Sequence, residues 1–118
     1  MQKVSIRNKT RGSLLGDAIE VADTGKTRRV GLLKRTGLAP GEGLWIRPCE
    51  GIHTFFMKFP IDVLFLDRHQ RVVKAVKAME PWRLAVSLRG RSVVELPVGL
   101  IEQSGTHKGD EMEVSEAE

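Results

Sequence analysis

The chain has 118 residues, of which 41% are hydrophobic and 29% charged, a balance typical of one globular domain that excludes a disordered or fibrous chain. Its single cysteine, Cys49, excludes an intramolecular disulfide and a cysteine-rich zinc site. The longest strictly apolar run, residues 63–66, is far too short to span a membrane, and the first residues do not form an apolar leader. We therefore expect a soluble cytoplasmic domain that has no membrane partner.

The net charge of +4 is distributed unevenly along the chain. Residues 1–91 carry 18 Lys and Arg against 8 Asp and Glu, whereas residues 92–118 carry 1 and 7. A basic body with an acidic end can attract anionic ligands or nucleic acid. No aromatic residues alternate with the basic ones, as they do in proteins that bind single strands. The pattern therefore favours an ordinary solvated surface over a nucleic-acid site.

Two segments of alternating hydrophobicity open the chain. Val4 and Ile6 share one face of residues 3–9, and Ile19 and Val21 share one face of residues 17–23. A period of two predicts two half-buried strands.

One helix is predicted at residues 26–35. A threonine at 24 or 27 can cap its start by accepting an orphan backbone N–H. Val30 and Leu33 would form its apolar stripe. Gly31 inside a helix costs about 1 kcal/mol relative to alanine, which we interpret as a sign of close packing against a strand.

Short strands punctuated by turn residues fill the rest of the chain. They are predicted at residues 44–47, 52–59, 61–67, 72–79, 92–96 and 111–114. Residues 80–91 read as a long basic loop, and residues 98–104 as a short helical turn. Many short strands at regular spacing predict a mainly β fold, a small sandwich or barrel-like domain that spans residues 1–118.

Polar residues on two predicted strand faces are the first candidates for a site. If residues 52–59 form a strand, His53 and Met57 share one face and Lys58 lies on the other. Asp62 lies in line with two leucines of the next strand, which is unusual because a buried carboxylate needs a partner. Lys58 is the nearest basic residue in sequence, and the pair would either hold a hairpin or grip a ligand.

Four segments resemble the family known as domain of unknown function 192. They are residues 49–67, the Arg-x-Gly-Leu-Leu-x-Arg run within 27–35, residues 93–99, and Gly109-Asp110. The resemblance spans nearly the whole chain in order, and it implies a mostly β, sandwich-like domain with a short helix and no particular reaction. The matching motif residues are Arg35, His53, Met57, Lys58, Asp62, Glu95 and Asp110. One departure is residues 56–59, which read Phe-Met-Lys-Phe where many relatives have Trp-Met-Lys-Asn.

Two further arrangements have weaker support. Cys49 and His53 could form a thiolate–imidazole pair, but Gly51 and the flanking strands argue against a helix that would align them. Adding Asp62 gives three possible metal ligands without a fourth. No glycine-rich phosphate loop is present. We therefore predict no resident metal or cofactor.

Three functions remain open. The favoured one is a binding module whose cleft takes a small or polymeric ligand, with an anionic one favoured by the basic excess, and with Arg35, His53, Met57, Lys58, Asp62 and Glu95 as candidate ligand-binding residues. The second is a hydrolase that uses Asp62 or Glu95 with His53 as acid–base partners. The third is a nucleic-acid binder that uses the basic helix and the 83–91 loop. The same polar residues would also suit structural ion pairs.

Overall fold

The computed structural model describes residues 2–116, and its centre is one curled, seven-stranded sheet. The elements are β1 (Lys3–Asn8), β2 (Ser13–Ala22), α1 (Gly25–Val30), β3 (Glu42–Ile46), β4 (Gly51–His53), β5 (Ile61–Leu66), β6 (Val72–Met79), β7 (Leu84–Val86), β8 (Ser92–Leu96), α2 (Leu100–Ser104) and β9 (Met112–Glu116). The sheet order is β6-β5-β8-β3-β2-β1-β9, which forms a half-barrel, while β4 and β7 form a separate pair. The mainly β, barrel-like prediction is confirmed. Neither helix in the described range is long and apolar enough to cross a membrane.

Both faces of the large sheet are covered by apolar residues. One core cluster contains Ile19, Leu64 and Ile101, and the other contains Leu44 and Phe65. The two strands at the centre of this packing, β5 and β8, are therefore buried at every position. Any polar side chain on β5 or β8 must lie in the core, where it needs a hydrogen-bond partner or a special role.

Helix α1 is shorter than the predicted span of 26–35. Its start is a capping box, in which Thr27 N–H donates to the Thr24 hydroxyl oxygen and Thr24 N–H donates to that of Thr27, both at 3.0 Å. Gly31 ends the helix at φ 49°, a conformation that favours glycine. The packing interpretation of Gly31 is wrong, because an added Cβ would meet no neighbouring atom closer than 3.9 Å. The predicted helical turn near 98–104 is present as α2.

The predicted strand at 52–59 is wrong beyond its first two residues. Strand β4 ends at His53, and turns follow, with Phe56 at φ 66°. Thr54 directs this change: its buried hydroxyl donates to the carbonyl of Glu80 at 2.6 Å and accepts from the N–H of Arg83 at 3.0 Å. The alternating faces expected for residues 52–59 therefore do not form. The predicted 80–91 loop instead contributes β7, which pairs with β4.

Candidate functional site

A cleft of about 600 Å³ lies between α1 and β4, above the sheet. Its walls are mostly apolar and include Leu32, Leu33, Ile46, Ile52 and Met57. A volume of this size and an apolar lining are typical of sites for small organic molecules. The chemistry of the cleft depends on the few polar groups that interrupt its lining.

Glu95 lines the inner part of this cleft. It lies on the central strand β8, opposite Leu44 of β3 and Val63 of β5, and only 4% of it is exposed. No ion pair or side-chain hydrogen bond within residues 2–116 reaches its carboxylate. Burial raises the pKa of Glu95 to about 7. Its carboxyl group is therefore divided between the protonated and ionised forms near neutral pH.

Two arginines from α1 also line the cleft, on its solvent side. Arg28 and Arg29 are both exposed. The Arg28 guanidinium donates to the carbonyls of Thr24 and Pro48, each at 3.2 Å, which holds it across the gap between α1 and the chain after β3. No carboxylate within residues 2–116 pairs with either arginine. The two arginines lie at the solvent-side opening of the cleft, called here its mouth, where they would attract an anion.

Cys49 and His53 line the same cleft without forming a reactive pair. The Cys49 thiol donates to the carbonyl of Gly51 at 3.1 Å, and partial burial raises its pKa above the ordinary value. The His53 ring is exposed, stacks on Phe55 at 4.9 Å between centroids, and accepts from the Phe55 N–H at 3.3 Å. A protonated thiol is a poor nucleophile, so the thiolate–imidazole arrangement is unsupported.

Asp62 is a buried structural carboxylate outside the cleft. One oxygen accepts from the Ala78 N–H at 2.8 Å, and the other accepts from Gly99 and Ile101 at 3.1 and 2.9 Å. The last two donors lie at the start of α2, so Asp62 caps that helix from a neighbouring strand. The predicted pair with Lys58 is wrong, because these backbone groups satisfy the carboxylate and Lys58 is exposed.

The six candidate residues separate into two groups. His53, Met57 and Glu95 line the cleft, whereas Arg35, Lys58 and Asp62 do not. Arg35 instead forms an ion pair with Glu20 at 2.7 Å. No group of three His, Cys, Asp or Glu side chains within residues 2–116 has the geometry of a metal site. The metal site considered from Cys49, His53 and Asp62 is therefore ruled out.

The two arginines at the mouth were missed as ligand-binding candidates. Sequence reasoning assigned Arg28 and Arg29 to a nucleic-acid surface, because a basic helix has that appearance. Their position over a cleft depends on the end of α1 at Gly31, which brings Leu32 and Leu33 back to the sheet. Gly31 itself was the available sequence signal, because glycine often ends a helix by adopting a positive φ.

A curled β sheet with a cleft under one short helix defines the structural class of this protein. Residues 6–114 match the model of the family described as "Uncharacterized ACR", the domain of unknown function 192. The chain belongs to this family, and the resemblance seen in its motifs is confirmed.

Curated relatives from archaea support the same assignment. A UPF0127 protein of Thermococcus sibiricus is 36% identical over 115 residues, which cover 90% of this chain and 71% of the relative. A UPF0127 protein of Pyrococcus abyssi is 38% identical over 102 residues, which cover 80% and 84% of the two chains.

Two solved structures share the fold at 22% identity. A protein of unknown function from Novosphingobium aromaticivorans matches with a TM-score of 0.80, over 93% of this chain and 82% of that one. A protein of Sinorhizobium meliloti, described as a candidate transcription regulator, matches with a TM-score of 0.82, over 96% and 92%. At this identity the likeness concerns the fold alone.

Proposed function

We propose that this protein is a binding module for a small organic anion, which occupies the cleft between α1 and β4. The observation that carries the proposal is Glu95, a buried carboxyl group without a protein partner in residues 2–116 that lines an open cleft. Buried polar groups are nearly always hydrogen-bonded in folded proteins. A bound molecule would supply the partner that the fold does not.

The lining indicates the chemistry of the ligand. An anionic group would pair with Arg28 and Arg29 at the mouth, where a guanidinium can hold a carboxylate or phosphate through two parallel hydrogen bonds. An apolar body would contact Ile52 and Met57. A hydroxyl or amide group at the inner end would meet Glu95, which can both donate and accept a hydrogen bond when it is protonated.

A thermal-shift comparison tests this proposal with three amphipathic anions, 4-hydroxybenzoate, hexanoate and phenyl phosphate. A ligand that binds only the folded state at about 100 times its Kd raises the free energy of unfolding by about 3 kcal/mol. We expect at least one probe to stabilise the wild type, and we expect 4-hydroxybenzoate to exceed hexanoate because of its hydroxyl group. The double variant Arg28→Gln/Arg29→Gln should lose the effect.

The matched control is Lys9→Gln/Lys34→Gln, which removes the same charge from exposed positions that do not line the cleft. This control should bind the probes as the wild type does. Equal loss of binding in both double variants would mean that net charge alone attracts the anions. No stabilisation of the wild type by any probe would reject the proposed ligand class.

A second candidate function is hydrolysis with Glu95 and His53 as acid–base partners. One observation favours it: the pKa of Glu95 lies near 7, where a general acid or base is most effective, and both residues line one cleft. Asp62 has no part in this candidate, since backbone N–H groups occupy its oxygens. Turnover of 4-nitrophenyl acetate or 4-nitrophenyl phosphate by the wild type and its loss in Glu95→Gln would support hydrolysis over binding.

We also propose that the protein works in the cytoplasm. Its single thiol is free, and a chain with one cysteine gains nothing from an oxidising compartment. Fractionation of cells that express the tagged protein tests this assignment: recovery with the cells supports it, and recovery in the secreted fraction contradicts it.

A further inference from the structure

Five large apolar side chains are exposed together beside the small sheet. Phe56, Trp82, Leu84, Val86 and Leu88, called here the apolar patch, are 53 to 84% exposed. Elsewhere in residues 2–116, only Leu14 and Val98 among the large hydrophobic side chains are comparably exposed. Isolated apolar side chains are normal on a surface, but a concentration such as this one marks an interaction site.

The apolar patch is held in place by the fold. In β7, Leu84 and Val86 point outward because the residue between them, Ala85, is buried. Phe56 and Trp82 have φ values of 66° and 67°, which bulky residues rarely adopt, and their rings lie 4.6 Å apart. Such a conformation persists only when its surroundings enforce it.

Thr54 supplies that enforcement. Its carbonyl accepts from the N–H groups of Met57 at 3.2 Å and Trp82 at 3.0 Å, and its N–H donates to the carbonyl of Arg83 at 2.9 Å. The two turns that carry the exposed rings are therefore both hydrogen-bonded to one buried residue. These hydrogen bonds fix the backbone from which the exposed side chains protrude.

Basic residues outnumber acidic ones in the two segments that build the apolar patch. Residues 54–60 and 80–91 carry Lys58, Arg83, Arg89 and Arg91 against Glu80, which pairs with Arg83 at 3.7 Å. Two such surfaces repel one another, which argues against a second copy of this chain as the partner. An anionic partner is complementary.

We propose that the apolar patch docks this domain on an anionic lipid surface. This proposal departs from the sequence-based expectation of no membrane partner, which rested on the short apolar runs and considered only membrane-spanning segments. Leu84, Val86 and Leu88, three of its five side chains, cannot stack on bases, so the patch offers a single-stranded nucleic acid only the rings of Phe56 and Trp82. None of its side chains lines the cleft under α1, and all of them protrude into solvent, with Leu88 the most exposed at 84%. A lipid interface accommodates protruding side chains without a matching shape, and Trp, Phe and Leu flanked by Arg are typical of interfacial binding.

Intrinsic tryptophan fluorescence with lipid vesicles tests the proposal directly. Only Trp82 can report contact with lipid, because Trp45 is 4% exposed and Trp82 is 56% exposed. We expect a blue shift of the Trp82 emission with vesicles of phosphatidylcholine and phosphatidylglycerol. Pure phosphatidylcholine vesicles should have little effect, and added salt should weaken the binding.

Variants separate the contributions of apolar and of basic side chains to vesicle binding. Leu84→Ser/Leu88→Ser and Arg83→Glu/Arg89→Glu should each weaken partitioning to the mixed vesicles by at least about tenfold. Leu14→Ser, which changes an exposed leucine outside the patch, should match the wild type in vesicle binding and thermal midpoint.

Three results would overturn the proposal. The first is that the wild type does not partition to the mixed vesicles at low salt. The second is that the wild type self-associates and that Leu84→Ser/Leu88→Ser abolishes this, which would make the patch an interface between copies. The third is salt-sensitive binding to oligothymidylate that depends on Trp82, without vesicle binding, which would make it a nucleic-acid surface.

Discussion

Two buried carboxylates on neighbouring strands have opposite environments. Asp62 on β5 accepts hydrogen bonds from three backbone N–H groups, whereas Glu95 on β8 receives none from residues 2–116. Both looked alike in the sequence, as acidic residues embedded in apolar strands. The difference arises because Asp62 faces the start of α2, while Glu95 faces the cleft.

Glu95 should make the protein less stable as the pH rises. Its folded pKa of about 7 exceeds the ordinary value of 4.5, so the folded state binds more protons than the unfolded state between these pH values. The free energy of unfolding therefore falls as pH rises through this window, by about 3 kcal/mol in total. We expect Glu95→Gln to remove this dependence and to be more stable than the wild type above pH 7, as urea unfolding at pH 5 and pH 8 would show.

Asp62→Asn is the matched control, because it neutralises the other buried carboxylate. Its amide group can accept at only one of the two positions, so at least one buried N–H loses its partner, at a cost of about 1–3 kcal/mol. This variant should be destabilised at both pH values. If Glu95→Gln were also destabilised at pH 8, Glu95 would have a protein partner and the proposed role in ligand binding would fail.

At the scale of elements, the segment after β4 shows how one side chain redirects the chain. Residues 52–59 have the alternating pattern of a strand. The hydroxyl and backbone of Thr54 instead form hydrogen bonds with residues 80–83, and these replace the hydrogen bonds that would continue the strand beyond His53. The sequence did not reveal this, because the partners are 26 and 29 residues away. The apolar patch exists only because these two turns meet.

Thr54→Val should loosen both turns while keeping the shape of the side chain. The hydrogen bonds of the hydroxyl with Glu80 and Arg83 are lost, and two partly buried backbone groups lose a partner. We expect a loss of about 1–3 kcal/mol in urea unfolding and faster hydrogen exchange at the Arg83 amide. Thr36→Val changes an exposed threonine and should have little effect. Unchanged exchange at Arg83 would show that the backbone bonds of Thr54 suffice.

At the scale of the whole molecule, Asp110 links β6, at one edge of the large sheet, to β1, next to the other edge. Its carbonyl accepts from the N–H of Val72 at 2.9 Å, and its carboxylate contacts Asn8. It precedes β9 and accepts from the side chain of Asn8 at 3.0 Å, from Arg11 at 3.0 and 3.2 Å, and from the N–H of His107 at 2.9 Å. Burial raises the pKa of Asp110, but the hydrogen bonds from Arg11, Asn8 and His107 outweigh it and lower the pKa to about 2.

Asp110 should therefore stabilise the fold at neutral pH and lose this effect in acid. Its folded pKa lies below the ordinary value of 3.8, so its contribution is complete above about pH 4 and disappears as pH falls through 2. Because Arg11 is 45% exposed, we expect a contribution of about 1–2 kcal/mol. Asp110→Asn should be less stable than the wild type at pH 7, and the difference should shrink toward zero as the pH falls below 2, measured by thermal unfolding. A difference in stability between Asp110→Asn and the wild type that stays constant across this pH range would mean that the charge of Asp110 does not stabilise the fold.

The sequence by itself determined the mainly β class, nearly every strand of the large sheet and the family. These features depend on local signals: period-two hydrophobicity in β1 and β2, turn residues between strands, and ordered motifs within residues 27–110, which the family match over residues 6–114 confirms. It also placed Asp62 on the face of Leu64, and the core cluster that contains Leu64 confirms a buried face there.

Only the tertiary structure decided which polar residues belong to one site. The cleft joins Arg28, His53 and Glu95 from α1, β4 and β8, and the apolar patch joins Phe56 to Trp82. Long-range pairing, such as β4 with β7 and β3 with β8, creates both. Residue periodicity indicates which face of an element is buried, but it carries no information about which distant element covers that face. Because α2 covers Asp62 and the cleft lies over Glu95, the first carboxylate is hydrogen-bonded and the second has no partner in residues 2–116.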